Sequence, residues 1–318
     1  MATANYLEKK PSQSLVIAAF ASLYIIWGST YIAIFIALKG LPPFLLAGTR
    51  FVIAGIILYL WCRFKGESSP PLQSFAALCF SGTLMLFFGT GSLVWAEQYI
   101  PSGVAAIIIA TVPLWFVVLD KRLWKFHFSN RYVIAGLLIG FVGVLALFAG
   151  NHSVDSSGGK MKHIAFVVLL LGSLAWAAGS LYSKYTTTTG STSMKASIQM
   201  MAAGFVSFIP AFITGEQHRF NPAAVSPQVV MAILYLVSFG SLIGFISYVW
   251  LLSVRPPSLV GTYAYVNPVV AVFLGWLIAG EQISSRQVIA LLIILAGVII
   301  VNFSKEKKVA RISQVSTQ

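Results

Sequence analysis

Apolar residues along this chain gather in long, nearly unbroken runs. They show neither the alternation of a half-buried strand nor the one-sided stripe of a soluble helix. Runs of this kind are long enough to cross a hydrocarbon layer about 30 Å thick as helices. They predict ten helices, over roughly 14–38, 43–62, 73–96, 102–119, 131–149, 163–183, 196–214, 227–251, 258–279 and 286–303. Polar and turn-forming stretches separate them: Gly40-Leu41-Pro42-Pro43, Gly66 to Pro71, Ile100-Pro101-Ser102, Asn151 to Lys160, Thr186 to Ser193 and Arg255-Pro256-Pro257. Proline ends a helix because it lacks an amide hydrogen and crowds the preceding turn. Lys9 and Lys10 ahead of the first run resemble the opening of a signal peptide. That run continues through Trp27 and Tyr31 to Leu38 without a small-residue cleavage site, so it reads as the first span.

Composition sharpens the picture. Of 318 residues, 58% are hydrophobic and 9% charged, whereas soluble chains carry about a quarter charged residues. With a mean hydropathy of +0.86, too little polar surface remains to cover a water-facing core. A soluble enzyme, a nucleic-acid binder and a disordered chain are excluded. Cys62 and Cys79 fall in apolar runs and read as small buried hydrophobes.

The net charge of +13 would suggest nucleic acid in a soluble protein, but here its distribution explains it. With the N-terminus inside, fifteen Lys and Arg fall in cytoplasmic segments: Lys9, Lys10, Arg63, Lys65, Lys121, Arg122, Lys125, Arg131, Lys184, Lys195, Arg255, Lys305, Lys307, Lys308 and Arg311. Only Lys39, Lys160, Lys162, Arg219 and Arg286 fall outside, and Arg50 lies within a span. Short loops rich in Lys and Arg stay in the cytoplasm, so both termini are expected there.

The second half repeats the first. Trp95 and Trp250, Pro101 and Pro256, Pro113 and Pro268, and Arg131 and Arg286 are each 155 residues apart. Val133-Ile134-Ala135 recurs as Val288-Ile289-Ala290 at the same offset, and Gly28-Ser29-x-Tyr31 recurs as Gly179-Ser180-x-Tyr182 at 151. Tryptophan and proline are rare enough to make this more than apolar coincidence. A unit of five spans forces its second copy to enter the membrane from the opposite side. The expected fold is therefore all-α, ten transmembrane helices forming two inverted five-helix repeats around a central cavity. That architecture belongs to secondary transporters.

Several segments now resemble a known family. Leu23-Tyr24-Ile25-Ile26-Trp27-Gly28-Ser29-Thr30-Tyr31 is similar to the first-helix signature of EamA-type transporters in the drug/metabolite transporter superfamily. So are Arg50-Phe51, Pro101-Ser102-Gly103 through Ala110-Thr111-Val112-Pro113, and Tyr263-Ala264-Tyr265-Val266-Asn267-Pro268. The likeness covers nearly the whole chain, as two EamA units at 15–149 and 164–302 followed by a cytoplasmic tail, 303–318. It points to the YedA-like bacterial inner-membrane subgroup. It implies a multi-pass inner-membrane carrier exporting amino acids or other small metabolites. In that family a Glu follows the Asn-Pro helix near its outer end, and Glu281 matches it, whereas the first repeat has Phe126 there.

Arg50 is the sharpest single signal. A charge about six residues into a span must face the bundle interior and find a partner. Three readings stand open: outward snorkelling of the side chain, a structural brace to Glu97, or a planar fork for a substrate carboxylate. Glu97 and Glu281 near helix ends are candidates for proton coupling, with interfacial carboxylates as the plainer alternative. Trp27, Tyr31, Trp95, Trp176, Tyr182, Tyr248, Tyr263 and Tyr265 present aromatic faces with polar tips that suit either a cavity wall or an interfacial belt. The expected substrate-binding set is Arg50, Trp27, Tyr31, Trp95, Trp176, Tyr182, Tyr265 and Asn267. Pro113 and Pro268, inside spans, are the expected hinges. Gly136, Gly140, Gly143 and Gly240-x-x-x-Gly244 read as close helix packing.

No cofactor or metal is expected. Gly158-Gly159-Lys160 is followed by Met161, so there is no Walker A loop. His127, His152, His163 and His218 are scattered near loops. The expected partners are a small-molecule substrate with proton coupling and membrane lipid; oligomeric state is not readable. An uptake or exchange carrier, a non-transporting scaffold or sensor, and a membrane enzyme remain as alternatives.

Overall fold

The structure is a computed structural model that describes residues 12–148, 158–297 and 299–300. Lys9, Lys10, Asn151, His152 and the tail expected over 303–318 lie outside the described residues. Eight helices are long and apolar enough to cross a membrane: α1 (Gln13–Ala37), α2 (Pro43–Phe64), α3 (Leu72–Ala96), α4 (Ser102–Leu119), α6 (Gly159–Tyr185), α7 (Thr192–Ile213), α8 (Pro227–Val254) and α9 (Pro257–Ala279). Two further apolar helices, α5 (Arg131–Phe148) and α10 (Ser285–Gly297), occupy the fifth and tenth predicted runs.

The helix starts follow from local chemistry. Pro43, Pro227 and Pro257 each stand in the first turn of their helix, where the missing amide hydrogen would have had no intrahelical partner. Ser191 Oγ accepts from the Met194 amide at 3.1 Å and Ser226 Oγ from Val229 at 3.4 Å, satisfying donors that open helix ends leave over. Large apolar side chains such as Leu138, Phe212 and Trp276 are exposed around the bundle. Exposed apolar surface on this scale calls for lipid.

Glycine sets the closest approaches. A Cβ at Gly204 in α7 would lie 2.7 Å from Val52 N in α2, and one at Gly55 in α2 would lie 2.6 Å from Met201 Cγ in α7. A Cβ at Gly297 in α10 would lie 2.5 Å from Gly136 O and from Gly140 N in α5. Gly136, Gly140 and Gly143 thus pack as their spacing predicts. Both contacts join helices in matching positions of the two halves.

Several helices depart from α geometry midway. Leu23–Trp27 in α1, Thr83–Gly91 in α3 and Leu236–Phe245 in α8 are wider, π-helical turns. Moved along by the 155-residue offset, Thr83–Gly91 falls on Ser238–Ile246, almost the segment that is π-helical in α8. The α4 helix is interrupted at Ala110–Thr111 and α9 at Gly261–Thr262.

The bundle has two distinct ends. At one, Tyr185 OH donates to Asp120 Oδ2 at 2.8 Å, and Lys184 Nζ donates to Leu252 O at 2.6 Å. At the other, carboxylates close helix N-termini. Glu216 Oε2 accepts from the Leu45 amide of α2 at 2.9 Å. Glu281 accepts from the Ser102 amide and hydroxyl, both at 2.8 Å, and from the Gly103 amide at 3.2 Å, at the start of α4. Gly280, with φ 65°, ends α9 in the left-handed region that folds Glu281 back towards it.

Candidate functional site

A cavity lies at mid-bundle, walled by α1, α2, α3, α4, α6, α8 and α9. The three π-helical turns supply part of its wall, with Trp27 from α1, Leu86, Gly89 and Thr90 from α3, and Gly240 and Phe245 from α8. Such turns recur at functional sites because the wider ring re-aims side chains and loosens the carbonyl ladder.

Arg50 is the one charged side chain among the lining residues. It is 4% exposed. Its Nε donates to Ser241 Oγ on α8 at 2.8 Å, and its guanidinium lies 5.0 Å from the Phe51 ring. Nη1 is buried and has no hydrogen-bond partner among the described residues. The brace to Glu97 is not formed, since both Glu97 oxygens are likewise without a hydrogen-bond partner.

Gly240 and Gly244 let α8 pack closely against α1 and α2, as their spacing predicts. They also make room for polar side chains. A Cβ at Gly240 would lie 2.8 Å from Arg50 Nη2, and one at Gly244 would collide with Trp27 Nε1. The Trp27 indole instead donates to Gly240 O at 3.1 Å, so one carbonyl of the α8 π-helical segment is used by α1.

An aromatic cluster joins the cavity towards the Asp120 end. The Trp27 ring centroid lies 5.4 Å from Trp176, 5.1 Å from Tyr248 and 5.0 Å from Tyr263. Trp27 meets Trp176 and Tyr263 edge to face, the arrangement that ring quadrupoles favour. Trp176 Nε1 donates to Tyr248 OH at 3.0 Å, and Ser180 Oγ shares a 2.6 Å hydrogen bond with the same hydroxyl. Rings with satisfied polar tips can stay in an apolar interior without a desolvation cost.

Asn267 lines the cavity too, but its amide is surrounded by carbonyls. With Nδ2 turned towards them it donates to Tyr263 O at 3.0 Å and to Tyr24 O and Leu23 O at 3.2 Å each. It ties α9 to the π-helical turn of α1.

Of the predicted binding set, the fold brings Arg50, Trp27, Tyr31, Trp176 and Asn267 to the cavity. Trp95, Tyr182 and Tyr265 are not in its wall. Trp95 packs on Tyr99 at 5.0 Å, Tyr182 is partly exposed against Phe80, and Tyr265 packs on the apolar core. Glu97, one residue past α3, is buried and close enough to interact electrostatically with Tyr31 in the wall. Burial, with the facing Glu281 charge, holds its carboxyl well above the usual carboxylate range. Pro113 stands in the first turn after the α4 break, and Pro268 inside the unbroken stretch Tyr263–Ala279. The sequence does not predict that Ser241 holds Arg50 or that Gly240 and Thr30 stand in the cavity wall. The available signal was indirect: a buried Arg needs an acceptor and room, and Gly240-Ser241 at mid-span offers both.

A helical membrane bundle with a polar-tipped cavity between broken and widened helices is the architecture of a membrane transporter. The sequence matches the EamA-like transporter family twice, over residues 14–149 and 163–303. The chain belongs to that family. It is 38% identical over 289 residues to the uncharacterized inner membrane transporter YedA of Escherichia coli K12, covering 90% of each chain. It is 23% identical over 300 residues to the uncharacterized transporter YoaV of Bacillus subtilis (92% of this chain, 98% of that one), and 26% identical over 297 residues to protein PecM of Dickeya dadantii (91% and 94%). A crystal structure 19% identical in sequence superposes with a TM-score of 0.61, covering 91% of this chain and 96% of that one, which supports the fold alone.

Proposed function

We propose that this chain is a secondary active transporter, chemically inert towards its cargo, that exports small amphipathic carboxylate-bearing metabolites by alternating access. Amino acids and their relatives fall in that class. The proposed frame is ten spans in two inverted units, 15–149 and 164–302, with both termini cytoplasmic. The single observation that carries the reading is the buried Arg50, with Nη1 unpartnered among the described residues, as the one charged side chain in the wall of a mainly apolar and aromatic cavity. A guanidinium so placed lacks the second hydrogen-bonding group that its planar fork is shaped to hold. Tyr31, Trp27 and Trp176 supply faces for the rest of the substrate, and Glu97 is the proposed proton carrier.

Counterflow of labelled small carboxylates in proteoliposomes tests this. Flux that requires the protein, falls in Arg50→Lys and loses its stimulation by a pH gradient in Glu97→Gln is the expected result. Correctly inserted protein giving no flux across such a panel would sink the reading.

A further inference from the structure

The charge balance of the cavity says more about the cargo than its size does. Seventeen residues line it, and Arg50 alone among them is charged. Its Nε is held by a neutral hydroxyl, Ser241 Oγ at 2.8 Å, and its Nη1 by nothing. Glu97 lies outside the lining, faces Glu281, and leaves both its oxygens without hydrogen bonds. Among the described residues the buried cation therefore carries one uncompensated positive charge, and burying such a charge is costly until an anion neutralises it.

Three kinds of head group can be compared by counting. A monocarboxylate brings the site to zero. A zwitterion leaves it at one positive charge, because its own ammonium cancels its carboxylate. An amine raises it to two. No carboxylate in the lining waits for an ammonium, and the rings that would attract one are already packed edge to face on each other. The Phe51 ring lies 5.0 Å from the guanidinium, and Trp27, Trp176, Phe245 and Tyr263 add rings to the cavity wall, which suits a flat apolar tail.

We infer that the cavity selects apolar, ring-bearing monocarboxylates that lack an ammonium group, with Arg50 as the anion-binding residue and Ser241 as the group that positions it. This rests on the transport reading and narrows its substrate class; amino acids become the poorer ligands.

The probes are 3-phenylpropionate, phenylalanine and phenethylammonium, which share a ring and differ in head group. Calorimetry on the purified full-length protein should give 3-phenylpropionate an affinity at least about tenfold above phenylalanine, with phenethylammonium weaker still, the size expected of one hydrogen-bonded charge. Arg50→Gln should remove most of that preference, and Arg50→Lys part of it. Equal or tighter binding of phenylalanine or phenethylammonium overturns the inference, as does the absence of 3-phenylpropionate binding. So does an Arg50→Gln protein that binds like the parent. If Arg50→Gln does not fold, the three-probe comparison on the parent decides alone. Binding of 3-phenylpropionate without its flux in proteoliposomes would refute the transport reading and leave the ligand class standing. Flux of other carboxylates without that binding would do the reverse.

Discussion

At the scale of single residues, the site depends on small side chains as much as on the charge they surround. A methyl group at Gly240 must displace the Arg50 guanidinium or the Thr30 methyl, at 2.8 Å and 3.0 Å from the Cβ. Overpacking of this kind costs about 1–3 kcal/mol. Gly240→Ala should therefore lower the unfolding temperature in detergent and weaken 3-phenylpropionate binding together; intact binding would separate Gly240 from the anion site. Arg50 was legible in the sequence because ionisable residues inside spans are rare and must be explained. Ser241 was not, since a serine in an apolar helix has many uses and only the fold shows which neighbour claims it. The aromatics were legible as a class but not one by one. Trp27 and Trp95 have the same chemistry, and only tertiary packing puts one in the cavity wall and the other against Tyr99.

At the scale of helices, the breaks between runs were readable because proline acts locally. The π-helical turns were not, because a wider ring depends on what packs against it. The two matched prolines illustrate the difference. Equal spacing in the repeats predicts equal roles, yet Pro113 occupies a first turn, where no interior hydrogen bond is missing. Pro268 lies within Tyr263–Ala279, where it withholds a donor from the carbonyl four residues before it. Pro268→Ala should increase hydrogen-exchange protection around that turn and slow counterflow, while Pro113→Ala leaves both near the parent. Equal effects would mean that repeat position, not local backbone, governs their contribution.

At the scale of the whole molecule, the charge count predicts which end faces the cytoplasm. Ser68 and Thr187 are exposed at the Asp120 end and Asn221 at the Glu281 end. With Cys62 and Cys79 replaced, a cysteine at Asn221 should react with an impermeant reagent in intact cells, and cysteines at Ser68 or Thr187 only after permeabilisation. The opposite pattern would invert the topology. The repeat offset made the pairing of halves legible, but not how the halves complete each other. Glu216 and Glu281 belong to the second half, whereas the amides they bind, at Leu45, Ser102 and Gly103, belong to the first. During synthesis the first half thus leaves the ribosome before the groups that finish two of its helices exist, and its maturation must wait for the chain beyond residue 281 to arrive.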